Sequence, residues 1–203
     1  MSTKVVLATR NAHKVEELRE ILADVCADLD LDIVGLRDFP DAPHVVEDGV
    51  TFEENALLKA KSAADTTGLP ALADDSGLAV DVLGGAPGIF SARWAGGGGD
   101  RANVDLLLRQ LGDVRDEHRG AAFVCAAALV MPDGRGGVEL GRFPGTVGRE
   151  PRGSGGFGYD PIFVPLGADR TLAEYTEEEK NAVSHRALAF RALAPHLREH
   201  LGR

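Results

Sequence analysis

Apolar residues fall in short bursts along this chain, and their spacing switches between continuous runs and steps of three and four. Val5–Ala8 is an unbroken apolar run and predicts a buried strand. From Asn11 to Val25 the apolar positions Val15, Leu18, Leu22 and Val25 keep helical spacing, which predicts one helix. Asp32–Leu36 predicts a second strand. Thr51-Phe52-Glu53-Glu54 has the form of a capping box, so a helix should run through about Thr66 with Phe52, Ala56, Ala60 and Ala63 on its inner stripe. Ala71–Ala73 predicts a short strand ending in two aspartates. Asn103–Leu111 predicts a helix that turns Val104, Leu107, Leu108 and Leu111 inward. Ala122–Val130 is a long apolar run suited to a central strand, and Val138–Val147 should pair beside it across a Pro132-Asp133-Gly134 turn. Ile162–Val164 predicts a further strand. Thr176-Glu177-Glu178-Glu179 is a second capping box, and Ala187–Leu201 predicts a last amphipathic helix with Leu188, Phe190, Leu193 and Leu197 as core candidates.

Strands interleaved with helices predict an α/β or mixed α+β protein, and the turn after the Ala122 run points to a mixed sheet. No repeat or linker divides the 203 residues, so residues 1–203 are expected to form a single domain, with one or two lobes. A hydrophobic content of 44% is too high for a disordered chain. The apolar runs fall short of the roughly 20 residues that span a bilayer, so no membrane partner is expected. Met1-Ser2-Thr3-Lys4 leads straight into the first strand without a cleavage site, which makes the cytoplasm the expected compartment. The formal charge of −10 argues against binding long nucleic acid, though not against a small phosphorylated ligand held by local cations and a metal. Cys26 and Cys125 lack CxxC spacing and read as a pair of buried reduced thiols.

Five segments offer chemistry. Thr9-Arg10-Asn11-Ala12-His13-Lys14 lies where a helix starts, and its free N–H groups, hydroxyl, amide and ammonium could grip a polyphosphate. Taken alone, it better suits a polar loop in which Asn11 caps the helix. It lacks the glycines and the Gly-Lys-Ser/Thr ending of a Walker A loop. Asp74-Asp75-Ser76-Gly77 could hold Mg²⁺ through one carboxylate, since neighbouring side chains of a strand point to opposite faces; otherwise it is an Asp-rich turn. Glu47-Asp48-Gly49 is by itself a solvated turn, unless folding brings Glu47 beside Asp75. Gly153–Pro161 surrounds Phe157, Gly158, Tyr159 and Asp160 with glycines, and a loop with two aromatics and an aspartate suits a nucleobase better than a bland hairpin. Lys180, His185 and Arg186 lie within seven residues and could meet phosphate, a base carbonyl or a carboxylate, or could be ordinary surface cations.

The order of these segments, together with Gly-Ala-Pro-Gly-Ile-x-Ser-Ala-Arg at Gly85–Arg93 and Ser-His-Arg at Ser184–Arg186, resembles the Ham1-like inosine/xanthosine triphosphate pyrophosphatases, from about Lys4 to His196. The resemblance implies a long curved mixed sheet flanked by helices, two lobes with a central substrate cleft, and a homodimer. It implies hydrolysis of non-standard purine nucleoside triphosphates (ITP, dITP, XTP) to monophosphate and pyrophosphate, with one or more Mg²⁺ per subunit. By the same resemblance, the Thr9–Lys14 segment grips the triphosphate, Glu47 and Asp75 bind the metal, and Asp75 is the proton acceptor. Ser76 contacts substrate beside the metal, Phe157 stacks on the purine and the loop to Asp160 lines the base pocket. Lys180, His185 and Arg186 meet the base and its 6-keto group. Two other functions share these features: a house-cleaning pyrophosphatase for modified pyrimidine or methylated nucleotides, and a nucleotide-binding module without turnover.

Overall fold

The computed structural model describes residues 2–202, the side chain of Asn181 aside. Among these, six strands form one sheet in the order β2-β1-β3-β4-β5-β6. β1 (Thr3–Leu7) runs parallel to β2 (Leu31–Gly35), with Val5 opposite Ile33, and parallel to β3 (Ala71–Val80), with Leu7 opposite Leu72. β4 (Gly120–Val130) and β5 (Gly136–Val147) follow, and β5 pairs antiparallel with β6 (Phe163–Pro165). The helices are α1 (Ala12–Ile21), α2 (Ala23–Leu29), α3 (Phe52–Thr67), α4 (Gly99–Gln110), α5 (Glu177–Val183) and α6 (His185–Leu201).

The chain divides into two compact units. The first comprises Met1–Asp75, Cys125–Gly141 and Arg186–Arg203, the second Ser76–Val124 and Arg142–His185. In the first unit the sheet is buried on both faces. Val5 and Leu7 of β1 and Cys125, Ala127 and Leu129 of β4 pack with Leu18, Phe190 and Leu193. Their neighbours Val6, Ala126 and Ala128 point the other way, onto Ala56, Ala60 and Ala63 of α3. Side chains alternate along a strand, so burial on both faces demands an unbroken apolar run, and that is why β1 and β4 were legible. The second unit is built around Leu78, Leu107, Phe123, Tyr159, Ile162 and Phe163.

Several expectations are corrected. The helix expected over Asn11–Val25 is two helices, broken at Leu22 (φ −105°, ψ 19°), yet Leu22 and Val25 stay buried, so the periodicity hides the break. The strand expected to stop at Ala73 continues to Val80, and the aspartates lie within it rather than at its end. Gly77 permits this, because a Cβ there would sit 2.5 Å from the Gly88 carbonyl oxygen, and the Leu78 N–H donates to Ser91 Oγ at 2.9 Å. In the first capping box Thr51 Oγ1 accepts from Glu54 N–H at 3.1 Å, while Glu54 reaches back to Val50 N–H at 2.6 Å rather than to Thr51. The second box, Thr176 with Glu179, closes in both directions. Leu188 is exposed and Cys26 only partly buried, whereas Cys125 is fully buried.

Candidate active site

β3 sets the site by alternation. Asp74 and Asp75 are consecutive, so their side chains leave the strand on opposite faces. Asp74 is buried between two cations of its own unit, with Lys14 Nζ at 3.1 Å and Arg186 Nη2 at 3.2 Å. Burial alone would raise its pKa, but Lys14, Arg186 and Lys59 outweigh that and hold it far below the usual carboxylate range. Asp75 faces α3 instead. Asn55 and Lys59 stand four residues apart on that helix and therefore share a face. Asn55 Nδ2 donates to Asp75 Oδ2 at 3.2 Å, and Lys59 Nζ lies 3.1 Å from Asp75 Oδ1.

The same ammonium lies 3.0 Å from Glu47 Oε1, so Glu47 and Asp75 converge on one cation. Asn55 fixes the loop that brings Glu47 there, since its side-chain oxygen accepts the Gly49 N–H at 2.9 Å. Burial raises the Asp75 pKa, and the charge of Glu47 adds to the rise against the pull of Lys59 and Asn55. Lys59 loses charge stability through burial but gains more from the two carboxylates, so its pKa is raised. Thr9, Arg10, His44, Glu47 and Lys59 line one cavity of about 300 Å³ in this unit, a volume at the small end of ligand pockets. Two carboxylates held close enough to share one positive charge are a donor set of hard oxygens, which suits Mg²⁺ completing its shell with water and phosphate oxygens.

At the tip of α1, Asn11 is the N-cap and its side chain accepts the His13 N–H at 3.0 Å, while Thr9 Oγ1 accepts the Asn11 N–H at 3.1 Å. Ala12 and His13 are exposed in the first turn. Arg10 donates to the Ala42 carbonyl at 2.6 Å. Arg186 was expected at the base. Its guanidinium is 7% exposed and is spent on Asp74, Glu17 and the Lys14 carbonyl; Nε has no hydrogen-bond partner among the described residues.

The glycine loop belongs to the second unit. Asp160 is buried, accepts the Phe157 N–H at 2.8 Å and pairs with Lys180. Lys180 also stands 4.3 Å over the Phe157 ring, whose residue is 72% exposed. Tyr159 is turned into the core, where its hydroxyl donates to the Ser91 carbonyl at 2.9 Å. His185 stacks on Phe123, centroids 5.0 Å apart. Ser76 is exposed on β3. Sequence reasoning missed Asn55 and Lys59; their four-residue spacing behind the Thr51 cap was the available signal, and it looked like a solvated helix face.

Proteins named dITP/XTP pyrophosphatase or HAM1 match nearly the whole chain. The dITP/XTP pyrophosphatase of Streptomyces coelicolor is 63% identical over 201 residues, spanning 98% of this chain and 100% of its own. A crystal structure of a nucleoside-triphosphatase / dITP/XTP pyrophosphatase from Mycobacterium abscessus is similar with a TM-score of 0.80 at 52% identity, covering 95% of this chain and 100% of that one. A HAM1 protein from Coxiella burnetii is similar with a TM-score of 0.87 at 42% identity, covering 97% and 99%. The Ham1 family matches residues 5–196, and this chain belongs to that family.

Proposed function

We propose that this chain hydrolyses non-standard purine nucleoside triphosphates, ITP, dITP and XTP, to nucleoside monophosphate and pyrophosphate. One observation carries the chemistry: Glu47 and Asp75 turn onto a single cation, Lys59, and Glu47 and Lys59 line a cavity together with Thr9 and Arg10. Mg²⁺ held by Glu47 and Asp75, one ion or more per subunit, would supply positive charge to the phosphate oxygens as pyrophosphate leaves.

The chain's own residues do the rest. The Thr9 hydroxyl, the Asn11 amide, Lys14 and the exposed N–H groups of Arg10 and Ala12 hold the phosphates at the positive end of α1, with the exposed His13 side chain beside them. Asp75 orients the attacking water and takes its proton, the role the family resemblance gives it. Ser76, next along β3, contacts the phosphate beside it.

Phe157 stacks on the purine, and Gly158, Tyr159 and Asp160 shape its pocket with Lys180 and His185. The committed guanidinium of Arg186 supports a holding role toward Asp74, so reading of O6 rests on loop N–H groups and Lys180. Those are donors. The 6-amino group of adenine would face them with a donor of its own, at about 1–3 kcal/mol for each group left unpaired. The family resemblance also leads us to propose a homodimer working in the cytosol.

A substrate panel tests the reading. ITP or XTP with Mg²⁺ should yield pyrophosphate, with ATP a poor substrate. Release of orthophosphate alone, or preference for methylated pyrimidine triphosphates, would overturn it, and tight binding of ITP without turnover would reduce the protein to a binding module.

A further inference from the structure

The last turns of α6 carry a second constellation, beyond Arg186 on the same helix. His196, Glu199 and His200 are spaced i, i+3 and i+4, which puts them on one side of the helix. Their ligating atoms all lie within 4.8 Å of one another, the one such group of three among the described residues. Nε2 of His196 lies 3.0 Å from Glu139 Oε1 on β5, in the same unit, so a further carboxylate stands beside His196. Gly137 lets the imidazole lie against β5, since a Cβ there would come within 2.5 Å of His196 Nδ1. Nδ1 of His200 is buried with no hydrogen-bond partner among the described residues.

We propose that His196, Glu199 and His200, with Glu139, bind a divalent transition-metal ion of the zinc type. Two imidazoles and two carboxylates suit Zn²⁺, whereas Mg²⁺ selects all-oxygen sites such as Glu47 with Asp75. Around a tetrahedral zinc with bonds of about 2.0–2.1 Å, neighbouring ligand atoms stand about 3.3 Å apart. Reaching that spacing from separations of up to 4.8 Å requires the side chains to rotate; Glu199 is exposed and both histidines are only partly buried. A hydrogen bond to Glu139 accounts for His196 alone. It leaves the buried Nδ1 of His200 without a hydrogen-bond partner among the described residues. The bound ion clamps the end of α6 to β5 and acts on stability rather than on turnover.

The test uses the full chain, stripped with chelator and held in saturating Mg²⁺, with Zn²⁺ as the probe in calorimetry and thermal melting. The wild type should bind one equivalent of Zn²⁺ and melt at a higher temperature with it. His196→Gln with His200→Gln should lose both effects while hydrolysing ITP at the wild-type rate. Glu47→Gln should keep the equivalent. Should the histidine pair fail to fold, Glu199→Gln at its exposed position should weaken Zn²⁺ binding by about tenfold or more. Undiminished binding in the histidine or Glu199 variants overturns the proposal, as does loss of the equivalent in Glu47→Gln.

Discussion

Lys59 Nζ lies 3.1 Å from Asp75 Oδ1, and the same nitrogen lies 3.0 Å from Glu47. A fixed ammonium therefore sits on the two carboxylates proposed to hold the metal. Removing it has two opposite consequences. Lys59→Met takes away a competitor for the carboxylates, so the Mg²⁺ concentration giving half-maximal rate should fall. It also takes positive charge from a place where phosphate charge develops, so kcat/KM at saturating Mg²⁺ should drop by about 10²–10³. Magnesium titrations of initial rate read both, and a higher Mg²⁺ requirement in the variant would contradict the geometry.

Asp74 and Asp75 are adjacent yet should fail differently. Asp74→Asn removes the carboxylate that Lys14 and buried Arg186 share, and stranding a buried guanidinium costs about 3 kcal/mol or more. In a chain of this size that lowers Tm by about 6–12 °C. Asp75→Asn removes a carboxyl whose charge burial already disfavours, so Tm should hold within a few degrees, about 1 kcal/mol, while kcat falls by about 10²–10⁴. Melting curves and initial rates on both variants decide the matter; similar behaviour of the two would dissolve the division of labour.

Acid stability follows from Asp74 with a definite sign. Its folded pKa is depressed below the unfolded value of about 3.9, so the carboxylate stabilises the fold above about pH 4. That contribution is lost as pH falls toward the folded pKa. Linkage gives a loss of about 1 kcal/mol by pH 3 from this group alone. Urea unfolding at pH 6 and pH 3 should show the wild type losing about that much more than Asp74→Asn. An equal acid loss in both proteins would remove Asp74 from the account.

What the sequence revealed and what it hid have physical causes. Val5–Leu7 and Ala122–Val130 were legible because strands buried on both faces must be apolar throughout. The rest of β3 was hidden because Asp74, Asp75, Ser76 and Gly77 read as a turn, and only contacts with Ser91 and Gly88 show why that stretch stays extended. The Thr9–Lys14 and acidic segments could be picked out by residue type. The partner of Asp75 could not, since Lys59 is 16 residues away and resembles any helix-surface lysine. Arg186 lies 112 residues from Asp74, so nothing local distinguishes a buried ion-pair partner from a base-reading arginine.

Phe157 is the case in which exposure itself argues for function. Its residue is 72% exposed while Asp160, three positions on, is buried and grips the Phe157 N–H at 2.8 Å. The backbone is fixed and the ring is presented, with Lys180 4.3 Å above it. An aromatic so exposed adds little to folding, so Phe157→Ala should leave stability within about 0.5 kcal/mol of wild type. Stacking on a base is worth about 1–3 kcal/mol and is felt alike by bound substrate and transition state. KM for ITP should therefore rise by about 5- to 150-fold with kcat little changed. Steady-state kinetics on the variant tests this directly. An unchanged KM would move the purine away from this loop, and a fall in kcat at constant KM would make Phe157 part of the chemistry rather than of recognition.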